Sequence, residues 1–268
     1  MAGMRRFIPF LKKPPSVAVI RLSGTIATGS RGTLNDTGLA SLIERAFAKG
    51  APKAVALIIN SPGGSPVQSS LIAARIRRLA DEKNIKVYAF VEDVAASGGY
   101  WLACAADEIW VDPSSIVGSI GVIYAGFGFQ DLIANYGVER RVHTAGTSKS
   151  MLDPFRPENP EDIEKLKGWQ GQIHDSFIAH VKAARGDRLS DDKDLFTGEV
   201  WVGKSAIDVG LVDGVAHVVP KMKEIFGDKV RLIPYGQKRS LFQRLGARVA
   251  DDTLGLIEER AQFARFGL

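Results

Sequence analysis

Apolar positions in this chain fall in two rhythms. Short continuous apolar runs at residues 17–22 (VAVIRL), 53–59 (KAVALII) and 87–91 (VYAFV) predict buried strands. Between them, Leu39, Leu42, Ile43 and Phe47 recur at helical spacing after Asn35 and Asp36, which suit an N-cap. Val67, Leu71, Ile72, Ile76 and Leu79 do the same after Ser65. Shorter runs follow at 108–111 and 116–123, then a helix is predicted near 129–136 and a strand near 139–143. Asn159-Pro160-Glu161-Asp162 opens a long helix that Arg185-Gly186-Asp187 stops. A short strand at 199–201, a helix start at 203–206, a helix over 220–226 and a last strand at 230–233 complete the order.

Strands alternating with helices, without hairpin turn signals, predict an α/β fold with a largely parallel sheet and covering helices. In such sheets binding sites gather at the carboxyl ends of the strands. Two glycine turns lie there, Pro62-Gly63-Gly64 and Ser97-Gly98-Gly99, and are expected to be neighbours. The domain reading is a basic leader over 1–15, one domain over 16–235 and an amphipathic helical tail over 236–268.

Composition narrows the chemistry. The formal net charge of +5 is modest, and one cysteine, Cys104, excludes an internal disulfide framework. The four histidines show no HExxH spacing and no nearby cysteine pair, so no metal site is expected, and with so modest a charge no nucleic-acid partner is expected either. The leader sets Arg5, Arg6, Lys12 and Lys13 around Phe7, Ile8, Phe10 and Leu11. It is too short and too interrupted for a signal peptide or a transmembrane span, which leaves a basic leader or peripheral contact with an anionic membrane.

Ser97 stands between a predicted strand and a helix start, where N–H groups point outward unpaired. It is either a plain N-cap or a nucleophile facing glycine N–H groups. A serine nucleophile needs a base. Among the histidines, His143, His174 and His180 are candidates, none with an obvious acidic companion. The other candidate is Lys149, in the small-residue loop Gly146-Thr147-Ser148-Lys149-Ser150. A lysine base must be neutral, and bringing one from about 10.4 to about 7–8 takes roughly 4 kcal/mol of burial. Spacing alone leaves the choice open.

Four ordered pieces change that: residues 59–64 (INSPGG), 96–100 (ASGGY), 118–122 (GSIGV) and the Lys149-Ser150 loop. With Gly198 and 206–213 (AIDVGLVD), they resemble the signal peptide peptidase A (SppA) family of serine peptidases, on a Clp-protease/crotonase-like fold. The resemblance implies Ser97 as nucleophile, Lys149 as general base, Ser119 orienting the lysine, and the N–H groups of Gly64 and Gly98 as oxyanion hole. It implies an acyl-enzyme with no cofactor, peptide substrates of apolar, signal-peptide-like character, and ring- or dome-shaped homo-oligomers. Many members carry an N-terminal membrane anchor; the short leader points instead to a cytoplasmic protein, or one peripheral to the inner face of the membrane. Two rivals share these features: a crotonase-type acyl-CoA hydratase or isomerase, and a non-catalytic oligomeric scaffold at a membrane.

Overall fold

Each apolar run becomes a strand, and most strands lie parallel. The computed structural model describes residues 14–28, 33–146, 148–191, 193–236 and 260–268. The chain divides into two compact units, residues 1–120 with 180–268, and residues 121–179. In order, its elements begin with β1 (Ser16–Ser23), α1 (Asp36–Ala48), β2 (Ala54–Ser61), α2 (Pro66–Lys83) and β3 (Lys86–Ala96). Then come α3 (Gly98–Ala103), β4 (Glu108–Val111), β5 (Ile116–Gly118), α4 (Gln130–Asn135) and α5 (Pro160–Arg185). The last are β6 (Val200–Val202), α6 (Lys204–Asp208), β7 (Gly214–Val215), α7 (Val218–Phe226) and β8 (Arg231–Tyr235).

The first unit holds the sheet. Its path is β6-β5-β3-β2-β1-β8, with β4 beside β3 and β7 beside β4. Every pairing is parallel except β5 with β6. The helix caps follow the sequence: the Asn35 side chain accepts from Gly38 N–H, and Ser65 accepts from Gln68 N–H. The apolar stripe of α1 is buried through Leu39, Leu42, Ile43 and Phe47, and Val55, Leu57, Ile59, Val87 and Ala89 are buried along the central strands.

The structure differs from the sequence expectation in three places. β3 runs on to Ala96, because its second edge is shared: β4 pairs with residues 88–91 and β5 with 94–96. Glu92 and Asp93, which broke the apolar run, sit at that changeover. Opposite them β2 shifts register between Ile59 and Ser61, and the Asn60 side chain bridges the irregularity. Its amide donates to Asp93 at 2.6 Å, and its oxygen accepts from Val94 N–H at 3.3 Å. No strand forms at 139–143, and β5 stops at Gly118 instead of running to 123.

In the second unit, Phe129 packs between Phe127 and Phe155, at 6.1 and 5.6 Å between ring centroids. Arg140 lies over Phe155 and pairs with Asp153. Most of the predicted leader and of the tail lies outside the described residues; 260–264 are helical.

Candidate active site

At the carboxyl edge of the first unit, β2, β3 and β5 end side by side. β2 delivers Pro62-Gly63-Gly64, and the 24–27 segment pins that turn. Gly24 N–H donates to Asn60 O (2.9 Å), Ile26 N–H to Gly63 O (2.8 Å), and Ser65 N–H to Ile26 O (2.7 Å). Gly64 has φ +139°, and a Cβ there would lie 2.0 Å from the Ile26 carbonyl oxygen, so only glycine fits. A Cβ on Gly98 would lie 2.4 Å from Ser69 Oγ and 3.3 Å from Gly64 N, so the two glycine turns touch, as their positions after strands predicted. The N–H groups of Gly64 and Gly98 are not used in the hydrogen bonds that hold these turns. Gly98 is the first residue of α3, where an N–H has no intrahelical acceptor.

Ser97 links β3 to α3 with φ 52° and ψ −121°, a left-handed backbone that serine adopts only at a cost. Its N–H donates to Gly118 O at 2.8 Å, and its carbonyl accepts from Tyr100 and Trp101 N–H at 3.0 Å each. It occupies the N-cap position, yet its side chain makes no capping hydrogen bond. The plain N-cap reading therefore lacks its hydrogen bond at this half-buried residue. Ser119 stands one residue past Gly118, which pairs with Ala96. It too has positive φ, 51°, and its N–H donates to Glu199 O at 2.7 Å. The first unit thus brings Gly64, Ser97, Gly98 and Ser119 to one edge.

Lys149 belongs to the second unit. It lies exposed on a turn, its N–H donating to Gly146 O at 3.3 Å. Its neighbours are tied locally: Lys165 donates to Ser148 Oγ (3.2 Å) and Arg156 to Ser150 Oγ (3.4 Å). Of the histidines, His143 is exposed and His174 is half-buried on α5. His217 Nε2 lies 2.9 Å from Asp112 on the surface. His180 stacks on Trp101, 4.8 Å between centroids, and burial pushes its pKa down.

Several partners escaped the sequence reading. Tyr100 is fully buried and donates to Leu211 O at 2.6 Å, fixing α3 to the 206–213 segment. Asp213 in that segment receives Arg185 through two bonds, 2.8 and 3.1 Å. The 206–213 signature is thus structural. Cys104 lies beneath these groups, and burial pushes its thiol up to about 12. The folded protein is expected to resist iodoacetamide at pH 8 and to be alkylated once unfolded in urea; mass spectrometry of both samples checks this. Fast labelling of the native form would contradict the buried placement.

The sequence profile of peptidase family S49 matches residues 80–225, just over half of the chain. The chain belongs to that family. It is 47% identical, over 99% of its length, to a Brucella melitensis protein named Na(+)/H(+) antiporter NhaA, of which the match covers 39%. It is 29% identical, over 75% of its length, to a putative signal peptide peptidase SppA of Enterococcus faecium, covering 60% of that protein. The chain therefore spans less than two thirds of the length of either relative. Among the described residues no helix is long and apolar enough to cross a membrane. A membrane-bound stomatin-specific protease shares the fold at TM-score 0.50 and 15% identity, over 84% of this chain and 99% of that one. The architecture is the Clp-protease/crotonase-like α/β fold.

Proposed function

We propose that this chain is a serine endopeptidase that cleaves apolar or unstructured peptides through an acyl-enzyme. The observation that carries the proposal is Ser97: a serine held in a costly backbone conformation, its hydroxyl free of capping duty, beside two glycine turns with N–H groups to spare. In this reading Lys149, neutral, takes the Ser97 proton as Oγ attacks the scissile carbonyl, and Ser119 orients the lysine. The N–H groups of Gly64 and Gly98 receive the oxyanion. Collapse of the tetrahedral adduct breaks the C–N bond, and the lysine returns its proton to the leaving amine. Water, deprotonated by the same lysine, then attacks the ester and frees Ser97. Family membership and the ordered motifs support the assignment. The crotonase reading would leave Ser97 without a task.

The test is hydrolysis of casein and of short apolar peptide esters by the whole protein beside Lys149→Ala. Loss of turnover in a folded variant is the expected result; turnover that survives removes the lysine from the mechanism.

The same reading includes self-association, in the cytoplasm or at the inner face of the membrane. It is supported by the large apolar side chains that the second unit exposes, notably Phe127 (81%), Tyr136 (79%) and Ile123 (68%). Sedimentation velocity is expected to give a multiple of the monomer mass, and Phe127→Ser with Tyr136→Ser to shift it toward the monomer. A monomeric wild-type protein would end this part of the proposal.

A further inference from the structure

Helix α3 is six residues long, and Ser97 is its N-cap, so whatever fixes the helix fixes the serine. A helix this short does not hold itself in water. A left-handed serine persists only where its surroundings over-determine it. One tie is already described, Tyr100 to Leu211 O. The second lies at the other end of a short relay. Trp101 N–H donates to Ser97 O at 3.0 Å. The Trp101 carbonyl would ordinarily accept from Ala105 N–H, but Ala105 donates to Leu102 O at 3.1 Å instead. The Trp101 carbonyl thus lies in the last turn of α3, where acceptors find donors outside the helix. His180, near the end of α5, brings Nε2 to 3.0 Å from it, and its ring stacks on the Trp101 indole with planes 16° apart. A carbonyl only accepts, so Nε2 carries the hydrogen, and burial keeps the ring neutral in that tautomer.

We propose that His180 is a positioning residue for the Ser97 nucleophile: it clamps the last turn of α3 through the Trp101 carbonyl and indole, and so holds the strained serine in its reactive conformation. The proposal rests on the Ser97 reading above. Histidine suits the place because it supplies a flat ring to stack and a single N–H to donate.

Two variants separate the two contributions. His180→Phe keeps a ring and loses the donor; His180→Gln keeps a donor and loses the stack. Each is compared with the whole wild-type protein by amide hydrogen exchange over residues 97–104, and by kcat and KM on a short apolar peptide ester, with Ser97→Ala as reference. The Phe variant is expected to exchange about tenfold faster in this segment, with kcat down about tenfold and KM unchanged, the scale of one lost hydrogen bond. The Gln variant is expected to restore both to within about twofold. Unchanged exchange in the Phe variant overturns the clamp. Faster exchange with undiminished kcat overturns its catalytic role, and a Gln variant as impaired as Phe overturns the donor argument. Turnover that persists in Ser97→Ala sinks the serine reading instead, and the exchange comparison then still decides whether the clamp exists.

Discussion

Ser97→Ala is expected to lower peptide hydrolysis by at least about 10⁴-fold while the protein stays folded. Ser97→Gly should be equally inactive but more stable than the alanine variant. The backbone at this residue, φ 52° and ψ −121°, strains any side chain with a Cβ. Such conformations cost about 1–3 kcal/mol. Glycine removes that cost, while its freer unfolded chain takes back about 0.4–1 kcal/mol. The balance is a gain of about 1 kcal/mol for glycine over alanine, readable in urea melts. A serine kept where glycine would be more stable indicates that the hydroxyl is the reason. If the glycine variant is no more stable than alanine, the strain argument fails; if alanine retains turnover, the nucleophile assignment fails.

Asp213→Ala should be the most damaging change for stability. Arg185 is 2% exposed, and its guanidinium spends two bonds on Asp213 and a third on Gly210 O (2.9 Å). The same carboxylate accepts from Ile109 N–H at 2.6 Å and lies 3.3 Å from Arg188. Removing the acid strands a buried cation and is expected to cost about 3–5 kcal/mol. Domains of this kind have about 5–15 kcal/mol in all. Exchanging both partners, Asp213→Leu with Arg185→Met, should cost less than Asp213→Ala alone, because no lone charge remains. Equal losses would show that the pair is not acting as a unit.

The same pair sets an acid limit. Burial alone would raise the Asp213 pKa; the Arg185 hydrogen bonds, the Ile109 N–H and the charges of Arg185 and Arg188 outweigh it and hold the pKa below the ordinary range. A carboxyl with a lowered folded pKa contributes stability that is complete above its unfolded value of about 3.9. That contribution drains as pH falls through the folded pKa. His180 acts in the same direction at higher pH, since a neutral buried ring must be charged below about 6.5 in the unfolded chain. Urea midpoints should therefore decline in two stages on acidification, and Asp213→Asn should shrink the lower one, to which Asp36, held down by its Arg75 hydrogen bonds, also contributes.

Strand positions were readable because a buried parallel strand needs an unbroken apolar run, and residues 17–22, 53–59 and 87–91 supply it. The length of β3 was not, because Glu92 and Asp93 interrupt the run where β4 gives way to β5, a change that only pairing reveals. The proximity of Gly64 and Gly98 followed from both lying after strands. The strain at Ser97 could not: a positive φ on serine leaves no mark in composition or periodicity. The ties from Tyr100 to Leu211 and from His180 to Trp101 join residues 111 and 79 apart, beyond any local pattern. Ile26 carried no signal at all, though its carbonyl is what forbids a side chain at Gly64.

Every strand among the described residues lies before residue 119 or after residue 199. The described residues of 121–179 supply no rung to the sheet, so a substitution among them cannot slip a strand by one residue and turn its core face outward. Such a segment escapes the register constraint that the strands obey. Related chains are expected to vary more in sequence and length across 121–145 than at the ends of β2, β3 and β5, while the loop around Lys149, the proposed base, is expected to hold its length.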